Sequence, residues 1–462
     1  MLRKSAREIA TAVNGETADP VEVTDAFVTR ILKRNPSLNA LVRFDPQMAL
    51  DEAQDVRRRR DAGEVMPLAG VPVVVKDNIW VAGRPISQGS RLFADHVPQG
   101  DAIAVARLRK AGAVIIGIGN SPEFACKGVT NSPLHGPTQH PLNATLTPGG
   151  SSGGNAAGLA ADFAPIAIGT DGGGSGRRPP AHTGTVGFKP SFGAIPYGPG
   201  FPEPFWGISV LAPMGRSVDD VAVLFDAIVG PDARDVESVP IEPGLGAEPR
   251  KLRVAFSRDL GLRAPIDGDV DAAIADGVER LAKAGWRIER TQVQWPQGIG
   301  EASIMPLQAA GLAAIHGETW RRKADLFDPD IAAQIERGMS LTGADVGRAL
   351  EASAAIKQTV AQCFEEYDLL LCPTAPCVAW PLTDLGPKQI GGVNVPPRGH
   401  AVFTPLFNHA LVPAISIPCG RGRDGLPVGL QIVSRRGRDR TVLAAAMDAE
   451  RILAPLNDYA RC

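Results

Sequence analysis

Short apolar runs, many of them rich in β-branched residues, alternate with helix-patterned stretches along most of this chain. The runs lie at 71–75, 113–118, 166–168, 252–256, 369–372, 414–417 and 428–433. Runs of that length suit buried strands better than helices. Around them, apolar residues recur at three- to four-residue steps over 3–35, 46–62, 101–111, 217–229, 266–284, 343–366 and 438–453. Strands alternating with helices restrict the chain to an α/β architecture with a mostly parallel or mixed sheet. No repeat period is visible. The stretch 234–250, rich in Pro, Gly and acid, reads as a surface excursion. The stretch 295–345 has less regular patterning and reads as a cap or substrate-facing insertion.

With 462 residues the chain can bury a large core, as one large domain or two coupled units. Lys plus Arg is 48 and Asp plus Glu is 50, a formal net charge of −2, which argues against a broad basic surface for nucleic acid. Arg57 to Arg60 form a basic run, read as the solvated C-terminal end of a helix. Six cysteines without a CxxC pair are too few for a disulfide scaffold and carry no metal spacing, so they read as reduced thiols of a cytoplasmic protein. The first residues, MLRKSAREIATAVNGE, lack the apolar stretch of a signal peptide. No apolar run approaches the roughly 20 residues of a spanning helix. Neither a metal, a cofactor nor a membrane is expected.

Chemistry concentrates between Thr147 and Pro190. Pro148-Gly-Gly-Ser-Ser-Gly-Gly154 is followed by Gly169-Thr-Asp-Gly-Gly-Gly-Ser-Gly-Arg177 and Gly187-Phe-Lys-Pro190. Glycine is entropically costly, so runs of it belong where backbone must approach something closely. Bare N–H groups around a serine suit a developing oxyanion. A phosphate loop would need Lys-Ser or Lys-Thr after its last glycine, and a dinucleotide loop would need GxGxxG spacing; neither is present. A serine nucleophile needs a base. None of the seven histidines (His96, His135, His140, His182, His316, His400 and His409) has a recognisable partner signature. Lys76 ends the apolar run 71–75. It is either a solvated strand-end lysine or a buried base.

Together these segments resemble the amidase signature family. The likeness runs from Pro67-Leu-Ala-Gly-Val-Pro72 and Lys76-Asp77-Asn78 through both Gly/Ser loops and Gly187-Phe-Lys-Pro190. It continues in Tyr367-Asp-Leu-Leu-Leu-Cys-Pro-Thr374 and Gly425-Leu-Pro-Val-Gly-Leu-Gln-Ile432 and is weakest over about 235–355. The resemblance implies a single large α/β/α domain with a central mixed, twisted sheet surrounded by helices. Within it, 1–65 would be a helical segment packing on the core. Residues 66–230 would hold the catalytic loops, 231–355 a variable cap, and 356–462 the rest of the core. It implies a Ser–cis-Ser–Lys triad of Ser175 (nucleophile), Ser151 (bridging) and Lys76 (base). N–H groups of Gly172, Gly173, Gly174 and Ser175 would form the oxyanion hole. Ser152, Asp171 and Arg177 would hold the loops.

Such a triad is chemically coherent. An ordinary lysine has a pKa of about 10.4, and burial can lower it by several units. Neutral Lys76 would take a proton from Ser151, and Ser151 one from Ser175. The resulting acyl-enzyme would be hydrolysed by water. Two features depart from the family pattern: Gly176 follows the nucleophile in place of an aliphatic residue, and Pro180-Ala-His182-Thr183 replaces a more apolar stretch. Phe124, Gly150 and Trp206, with Phe201 and Phe205, are candidates to contact a small aryl or alkyl amide. The partner expected is that small-molecule amide, with a homodimer allowed. Two other readings share the motifs: the glutaminase component of a tRNA-dependent amidotransferase, and a catalytically silent binding protein.

Overall fold

The structure is a computed structural model that describes residues 1–241 and 249–457. Part of the expected excursion over 234–250 therefore lies outside the described residues. In the first half of the chain the strands are β1 Leu41–Arg43, β2 Pro72–Lys76, β3 Val114–Gly119, β4 Ile166–Asp171, β5 Val186–Lys189 and β6 Val210–Gly215. In the second they are β7 Arg253–Phe256, β8 Arg287–Arg290, β9 Leu369–Pro373, β10 Gln389–Ile390, β11 Val393–Asn394, β12 Ala414–Arg421 and β13 Pro427–Val433. Eleven of them form one mixed sheet in the order β1-β3-β2-β4-β6-β5-β12-β13-β9-β7-β8; β10 and β11 make a separate hairpin. β3, β2 and β4 run parallel, as do β9, β7 and β8, while the strands between pair antiparallel. Helices surround this sheet, so the fold is α/β. β2 and β4 are buried along their whole length, which accounts for their unbroken apolar runs.

The expected helix over 3–35 is two helices, Ala6–Asn14 and Pro20–Leu38. Gly15 ends the first. Asp19 caps the second, accepting from the Val21 and Glu22 amides, and Pro20 starts it without an N–H to orphan. The irregular stretch 295–345 is also helical, with Glu301–Arg322 and Pro329–Ser340 packed together. Their pattern is blurred because backbones meet at glycines. A Cβ on Gly338 would lie 2.0 Å from the Ala309 carbonyl, and one on Gly311 would lie 2.2 Å from the Pro204 carbonyl. This pair covers a small second core of Phe124, Cys126, Leu312, Phe327, Ile331 and Ile335. The 231–355 stretch also contributes β7 and β8 to the main sheet. Among the described residues no helix is long and apolar enough to cross a membrane.

Candidate active site

β2 and β4 are adjacent and parallel, so Lys76 and the pair Thr170-Asp171 emerge at the same carboxyl-terminal edge. Loops leaving that edge are where such sheets place reacting groups. The second Gly/Ser loop continues directly from β4, and the first leads into the helix Gly153–Ala160.

Lys76 is fully buried, and its Nζ donates to Ser151 Oγ at 2.7 Å and to Thr170 Oγ1 at 2.9 Å. Thr170 Oγ1 also accepts from the Asn78 side chain at 3.1 Å. Among the described residues no carboxylate pairs with this ammonium. Burial pushes its pKa down to about 7, with the fields of Glu203 and Asp171 only partly opposing. The peptide between Gly150 and Ser151 is cis. A Cβ on Gly150 would lie 2.6 Å from the Val129 carbonyl oxygen, so only glycine fits there. Gly150, a substrate-contact candidate, thus packs closely on the Val129 backbone.

Ser151 and Ser152 are wholly buried, whereas Ser175 keeps 8 % exposure. The Ser152 amide donates to the Ser175 carbonyl at 3.3 Å, tying the two loops together, and Ser152 Oγ donates to the Thr170 carbonyl at 3.3 Å. The Ser151 and Ser175 hydroxyls are not hydrogen-bonded to each other. Such contacts often tighten only around bound substrate.

The second Gly/Ser loop is held by a buried ion pair. Arg177 donates to both Asp171 oxygens, at 2.8 and 3.0 Å. It also reaches the Thr404 carbonyl at 3.1 Å, Gln431 at 2.7 Å and Asn408 at 2.6 Å. Asp171 in turn accepts the amides of Gly174 at 2.6 Å and Gly176 at 3.1 Å, and the Asn408 side chain at 2.9 Å. Burial alone would raise the Asp171 pKa; Arg177 and Asn408 overcome it and hold the carboxyl below its ordinary range. The Gly174 N–H is therefore engaged by Asp171, while those of Gly172, Gly173 and Ser175 have no partner among the described residues. Gly174 sits at φ +113°, and a Cβ there would lie 2.1 Å from Thr404 Oγ1. Gly176 has a packing reason as well, since a Cβ would lie 2.4 Å from that of Ala212.

A cleft enclosing about 350 Å³ of empty space, mouth included, opens at Gly172 and Gly173. Phe205, Ile208, Ile304 and Leu307 form its apolar walls, and an Arg398–Glu301 ion pair its polar side. Three aromatic candidates do not line it: Phe201 packs instead on Phe93, with centroids 4.9 Å apart, and on Trp80 and His96. Phe124 stacks on His316, with centroids 3.9 Å apart, inside the second core. Trp206 is 53 % exposed, and its indole N–H donates to the Leu307 carbonyl at 2.7 Å. Thr170, Asn78, Asn408 and Gln431 were missed as site residues. The first two lay inside quoted motifs and Gln431 in the C-terminal one; Asn408 carried no local signal.

A model of the Amidase family matches residues 22–443. An acylamidase of Rhodococcus erythropolis is 35 % identical over 459 residues, covering 97 % of this chain and 95 % of the relative. A glutamyl-tRNA(Gln) amidotransferase subunit of Symbiobacterium thermophilum is 34 % identical, covering 94 % of this chain and 93 % of the relative. A crystal structure of a bacterial aryl acylamidase of the amidase signature family superposes with a TM-score of 0.91 at 28 % identity, covering 98 % of each chain. Paired Gly/Ser loops, a buried lysine beneath them and full-length likeness in sequence and fold agree: the chain belongs to the amidase signature family and is an amide hydrolase.

Proposed function

We propose that this enzyme cleaves its amide through an acyl-enzyme on Ser175. Lys76 is the base, Ser151 relays the proton, and the N–H groups of Gly172, Gly173 and Ser175 hold the oxyanion. One observation carries this reading: a wholly buried lysine, with no carboxylate partner among the described residues, 2.7 Å from the Ser151 hydroxyl. An ammonium there would be expensive, so a neutral amine is accessible near pH 7. It takes the Ser151 proton while Ser151 takes that of Ser175. The Ser175 oxygen bonds to the carbonyl carbon, whose C=O electrons move onto oxygen. Each donor in such a hole contributes about 3 kcal/mol to the transition state. Collapse breaks the C–N bond as the relayed proton passes to nitrogen, releasing ammonia or an amine. Water then repeats the sequence on the ester, freeing the acid.

Ser175→Ala is expected to abolish ammonia release from a panel of simple amides, and a fluorophosphonate should label Ser175 and leave Ser151 free. Labelling elsewhere, or turnover without Ser175, would falsify the assignment. The full-length likeness to a glutamyl-tRNA(Gln) amidotransferase component supports a second reading, a glutaminase that needs partner proteins. The chain alone turning over amides other than glutamine favours the stand-alone hydrolase; activity on glutamine only, and only with partners added, favours the amidotransferase component.

A further inference from the structure

Three residues beyond Ser175, Arg178 begins the helix Arg178–Thr183 and is only 3 % exposed. Its amide donates to the Gly174 carbonyl at 2.8 Å, so its backbone packs on the nucleophile loop. Its guanidinium finds no acceptor among the described residues, and Nε and Nη1 are both buried and unpartnered. Two buried histidines share this state: Nε2 of His182 and Nδ1 of His400 are also unpartnered. Their rings flank Trp380 at centroid distances of 5.4 and 4.6 Å.

Charge in this corner is one-sided. Burial and then Arg398 push the Arg178 pKa down to about 9, which leaves it cationic at neutral pH. Burial pushes His182 down to about 3 and His400 well below its ordinary value, so both are neutral rings able to offer one N–H each. Asp171 and Glu301, the acids Arg178 feels, are already paired with Arg177 and Arg398. A buried guanidinium without an acceptor is unfavourable, and its planar fork matches a carboxylate through two parallel hydrogen bonds. A leaving amine must escape to solvent, whereas the acyl part stays bonded to the enzyme. An anchor on the helix that follows Ser175 in the chain therefore suits the acyl part.

Given the acyl-enzyme reading above, on which this rests, we propose that Arg178, with His182 and His400, receives a carboxylate on the acyl part of the substrate. The substrates are then monoamides of short dicarboxylic acids. A neutral analogue would leave the guanidinium buried and unpaired, the condition under which polar sites discriminate strongly.

The test measures kcat/KM for the monoamides of malonic, succinic and glutaric acid against propionamide, butyramide and pentanamide. Wild type should prefer one acid-bearing amide by about a hundredfold or more. Arg178→Met should cut that ratio below about tenfold and Arg178→Lys restore part of it, a point charge being a poorer match than the fork. The free dicarboxylate of matching length should compete in wild type and lose that competition in Arg178→Met. A ratio unchanged in Arg178→Met, a wild-type preference for neutral amides, or a preference for carboxylates carried only on the amine side would overturn the proposal. Fluorophosphonate labelling of Ser175 runs alongside. A labelled wild type without acid preference sinks this inference alone, whereas an unlabelled one sinks the acyl-enzyme reading and this with it.

Discussion

Arg177 and Arg178 are neighbours in the chain, both buried, yet they face opposite circumstances. Arg177 has five hydrogen bonds, two of them to Asp171. Arg178 has a guanidinium that no acceptor among the described residues reaches. The first is a brace: it fixes the loop that carries Ser175 and the glycines before it. The second is a cation without a partner among the described residues, and Lys76 resembles it, its Nζ bonded to two hydroxyls and paired with no described carboxylate. In this fold a buried charge with every partner supplied holds geometry. On the readings proposed above, the two buried charges left short of partners are the ones that meet a proton or a substrate.

Substitutions can break that distinction. The largest effect is expected from Lys76→Met, which should lower kcat by at least about a thousandfold through loss of the general base. The same variant should gain stability. The unfolded chain holds the Lys76 proton up to its ordinary 10.5 and the folded chain only to about 7, so the native state is penalised below that window and stability rises with pH across it. Urea unfolding from pH 7 to 10 should show the slope reduced by about 1.4 kcal/mol per pH unit in Lys76→Met, Lys189 supplying a similar slope that remains. An unchanged slope would mean that Lys76 is not the depressed group.

Arg177→Met should destabilise by about 3–5 kcal/mol, because it strands the buried Asp171 carboxylate. A loss below about 1 kcal/mol in the same urea assay would remove the case for a brace. In the wild type, kcat/KM should fall about tenfold per pH unit below pH 7, where Lys76 is protonated and cannot accept. A flat profile between pH 5.5 and 8 would dissociate the rate from this lysine. The smallest effect is reserved for Arg178→Met. Its unfolding free energy should match wild type or exceed it by about 1 kcal/mol, since removing a charge without partners costs little. A loss as large as that of Arg177→Met would place Arg178 among the braces.

Local signals made much of this legible. Apolar runs located most strands, because a strand buried on both faces can hold few polar residues. Glycines around Ser151 and Ser175 marked backbone that packs too closely for a Cβ, as Gly150 against Val129 demonstrates. Legibility failed where contacts span the chain. Asn408 lies more than two hundred residues from Asp171, and nothing near it distinguishes it from a surface amide. Aromatic placement was illegible for a related reason: side-chain type named Phe124 and Trp206, but the stack on His316 and the bond to the Leu307 carbonyl are contacts only the fold supplies. The helical pair within 295–345 was hidden by glycines at the helix contacts, which interrupt the apolar period.

What the amino-acid order determined alone is the alternation of elements, the glycine-bounded serines and a lysine at the tip of an apolar strand. These depend on short-range sterics and on which residues avoid water. Tertiary structure decided the rest: that β2 and β4 lie side by side, that Lys76 meets Ser151 and Thr170 with no ion pair among the described residues, and that Arg177 is saturated while Arg178 is not. The reason is that solvation and pairing of a charge depend on every group within a few ångströms. In a mixed sheet of eleven strands those groups come from distant parts of the chain.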